Sequence, residues 1–129
     1  MPREMIVPEG QGWAPKHFRM APALKANGVI WMSGVVANQT EQGQDAMEAA
    51  MVQAFETIGE TLEASGSSWD HVVEFTSYHT DLDAQMETFM KVKDRFVTGP
   101  DYPAWTAISI TGLAIPTGIV EIKVTAVEA

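Results

Sequence analysis

One glutamate interrupts an apolar run near the C-terminal end of the sequence, Gly118-Ile119-Val120-Glu121-Ile122. A carboxylate there is either turned to solvent, where Lys123 would pair with it, or held in a pocket for general acid–base work. The spacing leaves both readings open. Ser33-Gly34 closes a second apolar run, Val29-Ile30-Trp31-Met32. A serine nucleophile needs a base and an orienting acid, and the flanks Trp31-Met32 and Gly34-Val35 do not form a G-x-S-x-G elbow. The expectation is a strand-end turn where Gly34 permits close backbone approach and exposed amides can meet a ligand. The three histidines, His17, His71 and His79, do not pair with other ligand types at helical spacing. They are expected to be structural or surface residues, with no metal site. No G-x-x-x-x-G-K or G-x-G-x-x-G loop occurs, so no ATP or dinucleotide cofactor is expected.

These residues must be positioned by one domain. The chain has 129 residues, 46% of them hydrophobic and 19% charged, enough for a packed core. We read residues 1–129 as a single domain, with 1–16 as an irregular arm rich in Pro and Gly. Cysteine is absent, which excludes a disulfide scaffold, a thiolate zinc site and a cysteine nucleophile. The net charge of −9 disfavours phosphate backbones. The clusters Lys16-Arg19-Lys25 and Lys91-Lys93-Arg95 lack interleaved stacking aromatics. No nucleic-acid partner is therefore expected. No run approaches the roughly 18 apolar residues of a membrane span, and Pro2, Pro8, Pro15 and Pro22 break up the first 30 residues. The expectation is a cytoplasmic protein with no membrane partner.

Periodicity supplies the elements. Residues 17–25 read as loosely extended, and Asn27-Gly28 is a hairpin signal before the strand Val29-Ile30-Trp31-Met32-Ser33. Residues 34–44 read as a polar loop. Asp45, with Glu48 three residues on, reads as a helix N-cap. Met47, Met51, Phe55, Ile58 and Leu62 follow as an apolar stripe, and Gly66 as a stop. Residues 72–80 read as a strand. Asp81 caps a second helix with the stripe Leu82, Met86, Phe89, Met90 and Phe96, broken by Gly99-Pro100. Residues 104–110 and 119–127 are the last strands. The order is β-β-α-β-α-β-β, an α+β two-layer sandwich with both helices on one face. In the last strand Val120, Ile122 and Val124 are expected to pack under the helices, with Glu121 and Trp105 lining one cavity. Neither face of 104–110 carries Lys or Glu. That predicts burial of the second face by further copies of the chain, hence a homo-oligomer.

The run Asn27-Gly28-Val29-Ile30-Trp31-Met32-Ser33-Gly34 resembles the strand-turn of the Rid family, the YjgF-like reactive intermediate deaminases. The resemblance extends through Glu60-Ala64-Gly66, Val72-Val73 to Asp81-Leu82, Tyr102-Pro103-Ala104 and Val120-Glu121-Ile122 to Ala126, covering about residues 17–128. It implies a chorismate-mutase-like fold with a mixed sheet. It also implies a homotrimeric barrel with clefts between subunits, and hydrolysis of enamine and imine acids with no cofactor or metal. Family deaminases hold the substrate carboxylate with an arginine after Pro-Ala, and position water with a glutamate on the last strand. By this resemblance Glu121 is the catalytic residue. Trp105 replaces the arginine, Ala107 a cysteine, Met20 a tyrosine and Phe89 an asparagine, with Ser33 and Gly34 at the cleft. Indole offers one neutral donor where guanidinium offers a two-pronged charged one. The expected ligand is thus small, neutral or apolar. The expected function is hydrolysis or tautomerisation of an imine, enamine or related carbonyl compound, other than typical 2-aminoacrylate deamination. The alternative is a non-catalytic small-ligand binding or sensing trimer. A ribonuclease is disfavoured by the charge.

Overall fold

The computed structural model describes residues 2–129. Asn27 (φ 53°) and Gly28 (φ 79°) both take the left-handed conformation that a tight two-residue hairpin demands. They join β2 (Ala23–Ala26) to β3 (Val29–Met32). The longest strand, β7 (Gly118–Val127), is the spine of the sheet. β3 pairs with its C-terminal half and β4 (Val35–Asn38) with its N-terminal half, both antiparallel. β3 and β4 are therefore one strand path, broken at Ser33-Gly34. β5 (Val72–His79) flanks β7 on the other side, antiparallel, and β6 (Ala104–Ser109) joins β5 in parallel at the far edge. β1 (Glu4–Ile6) extends the sheet beyond β2, giving the order β1-β2-β3-β7-β5-β6, with β4 also on β7.

Two helices cover one face. α2 (Gln44–Ala64) and α3 (Leu82–Phe96) bury Met51, Phe55, Ile58, Leu62, Phe89 and Val92 against the sheet. As expected, Val120, Ile122 and Val124 are buried beneath them. The Asp81 carboxylate accepts from the Ala84 amide at 3.3 Å and caps α3. Gly66 (φ 81°) ends the turn after α2.

Three expectations are corrected. The 1–16 arm contains β1 and, with its neighbours, a short helix α1 (Trp13–Phe18). A three-residue strand is too short to show a period. Pro15 is tolerated because it lies in the first turn, where backbone amides lack helical partners. His17 is therefore helical, and Arg19 (φ 51°) turns the chain out of α1. The stretch 34–44 is not all loop, since Val35-Val36-Ala37-Asn38 forms β4. Asp45 is not the N-cap of α2: Gly43 is, without a side-chain bond, and Glu48 instead binds Lys91 and Arg95 of α3 at 3.0 and 2.7 Å. The observed order is β-α-β-β-β-α-β-α-β-β, the expected α+β two-layer core with β1, α1 and β4 added.

Candidate active site

The break between β3 and β4 is held from both sides. Ser33 donates its hydroxyl to the Ala21 carbonyl at 2.6 Å and its amide to the Pro22 carbonyl at 3.1 Å. Lys123 Nζ donates to the Met32 carbonyl at 2.6 Å. Lys123 is thus occupied by the backbone, and Glu121 forms no ion pair among the described residues. Glu121 is half-buried and folds over Gly34. A Cβ at position 34 would overlap the carboxylate, lying 2.7 Å from Glu121 Cδ. Gly34 is needed for this close approach, not for a special φ.

A cavity of about 590 Å³ opens beside the break, between α2, β4 and the segment that carries α1. Glu121, Ser33, Gly34 and Met20 all line it. Sequence reasoning missed much of the wall, including Gln11 and Trp13 from the segment read as an irregular arm and Phe18 from the stretch read as loosely extended. Gln11 pins that segment to α2 by donating to Thr61 Oγ1 at 2.8 Å. Trp13 and Phe18 meet edge to face, with centroids 5.9 Å apart. Such an aromatic pair within a Pro/Gly-rich stretch was the available signal.

Trp105 is elsewhere. Its register on β5 is with Phe75, which in turn lies opposite Val124, so Trp105 points to the helix-covered face. Glu121 lies opposite Tyr78 and belongs to the other face. Within one chain the two do not share a cavity, because the pleat puts them on opposite sides of the sheet, and a shared site would have to form between copies. Trp105 stacks on Phe75 and Phe89, each 5.8 Å between centroids, with Lys93 Nζ 5.0 Å above its ring. Phe89 is fully buried, so within the chain it is a core residue rather than a ligand contact. Ala107 is half-buried on the same face, in register with Ser77.

Behind Trp105 runs a buried polar chain that the sequence did not suggest. Trp105 Nε1 donates to Ser77 Oγ at 2.9 Å, and Ser77 Oγ lies 2.8 Å from His79 Nε2. Ser77 Oγ has two lone pairs and one proton, so it accepts from the indole and shares a second hydrogen bond with His79 Nε2 whose donor is set by the tautomer of the ring. Burial pushes the His79 pKa below the ordinary histidine value. No group of three or more His, Cys, Asp or Glu is placed to hold a metal among the described residues. Among the described residues no helix is long and apolar enough to cross a membrane.

Comparison with known proteins adds an independent observation. Residues 14–128 match the family model described as Endoribonuclease L-PSP. The chain is 31% identical over 113 residues to the RutC family protein YjgH of Escherichia coli (strain K12), spanning 87% of this chain and 86% of that protein. It is 29% identical over 96 residues to Reactive Intermediate Deaminase A, chloroplastic, of Arabidopsis thaliana, spanning 72% of this chain and 50% of that one. The solved structure of Protein YJGH superposes with a TM-score of 0.86 at 30% identity, covering 99% of this chain and 98% of the other.

Proposed function

The chain belongs to the endoribonuclease L-PSP family, also called YjgF/Rid, and from that premise we propose that it is an enzyme hydrolysing a small imine, enamine or related carbonyl compound. The observation that carries this reading is Glu121: an unpaired, half-buried carboxylate folded over Gly34 inside a cavity large enough for a small organic molecule. Glu121 takes a proton from water as the water oxygen bonds to the imine carbon. The nitrogen collects protons, the carbon–nitrogen bond breaks, and ammonia and a carbonyl compound leave. Gly34 and Ser33 hold the carboxylate side of the cavity, and Met20 supplies apolar wall. The name of the plant relative, a reactive intermediate deaminase, supports the reaction class. Trp105 in place of the deaminase arginine argues against an α-imino acid such as 2-aminoacrylate.

We place the working site at a boundary between copies in a homotrimer. The face of the sheet opposite the helices is uncovered in the single chain, with Trp31 and Ile108 each 42% exposed. Trp105 and Ala107 lie on the helix-covered face but are half-buried on the open edge strand β6, and we place them at a neighbour's cavity from that edge. A ribonuclease reading lacks support from the site, since no Lys, Arg or His lines the cavity among the described residues. A ligand-binding protein without turnover is the second reading, favoured by Trp105. The test is to generate imines in situ with amine and amino-acid oxidases and follow ammonium release with and without the protein. Acceleration of at least one imine is expected. No acceleration across both series would leave only the binding reading.

A further inference from the structure

The cavity beside Glu121 carries charge of one sign. Glu9, Glu60 and Glu121 contribute to its lining, and no Lys, Arg or His does so among the described residues. The nearby cations are engaged or lie outside the lining. Lys123 is tied to the Met32 carbonyl. Lys25 is held by Glu128 and the Ser65 carbonyl. Lys16, His17 and Arg19, although on α1 and its C-cap, stay outside the lining. If a neighbouring copy presents Trp105, its Lys93 comes with the charge already met by Asp94 at 2.7 Å. Ser33 gives its proton to Ala21, so it offers a ligand lone pairs rather than a donor. The remaining wall includes Trp13, Phe18 and Met20, an apolar and aromatic surface.

Acceptors, negative charge and aromatic wall together describe a cation with an apolar body. We propose that the site binds its substrate as a protonated imine without a carboxylate, bearing an apolar or aromatic substituent; this rests on the hydrolytic reading above. An opposite charge within reach favours the charged form of a titratable group. The site therefore stabilises the iminium, which is the form water attacks, and repels the carboxylate of an α-imino acid. The step balances. Water oxygen bonds to the iminium carbon while Glu121 takes one proton. That proton passes to nitrogen, the carbon–nitrogen bond breaks with its electron pair on nitrogen as the carbonyl forms, and the hydroxyl proton passes through Glu121 to the departing ammonia. An aldehyde or ketone and ammonium result. Such iminium ions are products of two-electron oxidation of primary amines, so an amine-oxidising reaction must supply this substrate.

The test uses three planar molecules of one shape and three charges: benzamidinium, benzamide and benzoate. Their affinities are measured by calorimetry on the intact protein. Benzamidinium is expected to bind at least about tenfold tighter than benzamide, with benzoate weakest. The preference should shrink with added salt. Glu9→Gln and Glu60→Gln should each reduce benzamidinium affinity about two- to fivefold, the range of exposed charge pairs. Equal binding of benzamidinium and benzamide, tighter binding of benzoate, or no binding of any of the three overturns the proposal. Turnover is read separately, from ammonium released when benzylamine is oxidised in situ. If the affinity order holds and release is not accelerated, the hydrolytic reading fails while the cation preference stands.

Discussion

Glu121 and Gly34 act as a pair, because the carboxylate occupies the space a side chain at position 34 would need. Gly34→Ala must push Glu121 aside or shift the β3–β4 break. We expect it to cost about 1–3 kcal/mol of stability, the range for overpacking, and to lower turnover more than ligand affinity. Urea denaturation and steady-state kinetics on the same variant check both. Unchanged stability and unchanged turnover would show that the contact is not needed. The sequence marked Glu121 as unusual but left its environment open, since whether Lys123 reached it depended on where Lys123 could find a better acceptor. That acceptor, the Met32 carbonyl, exists only because the strand path breaks next to it. The direction of Trp105 was not legible for a different reason. It is set by the parallel register of β6 on β5, a pairing between segments that local periodicity does not report.

Among the elements, β5 carries the least expected feature, the buried Ser77 and His79. His79 also meets Phe89 edge to face at 4.9 Å. Its pKa is lowered by burial, so the folded state keeps it neutral while the unfolded chain takes up a proton below about pH 6.5. The stability it supports is fully present above that pH and is lost as pH falls towards the folded-state value. We expect the melting temperature to fall between pH 7.5 and pH 5.5, and the fall to be smaller in His79→Leu. Equal slopes in the two proteins would contradict this. The long amphipathic helices α2 and α3 were legible because their stripes run over several turns. β1, α1 and β4 were not, since elements of three to six residues give too few repeats and are fixed by pairing and packing. Those short elements include much of the cavity wall, which is why the site was less legible than the fold.

At the scale of the molecule, the uncovered sheet face governs behaviour in solution. Trp31 on β3 and Ile108 on the edge strand β6 are exposed on the same face as Glu121. Light scattering at micromolar concentration should report three times the 14.1 kDa chain mass. Ile108→Glu, which puts a charge on that face, should shift the population towards the single chain. A wild-type protein that runs as a single chain would remove the intersubunit placement of Trp105, though not the cavity around Glu121. In that case the ligand would meet only the wall built by α1, α2 and β4.

The central claim is that Glu121 moves the proton of the attacking water. The most direct measurement compares kcat/KM of the wild type and Glu121→Gln on one imine generated in situ, with benzamidinium affinity and melting temperature measured on both. We expect a loss of roughly 100-fold or more in kcat/KM, the scale of general base catalysis, in a variant that melts within a few degrees of the wild type. Turnover by Glu121→Gln equal to that of the wild type would contradict it.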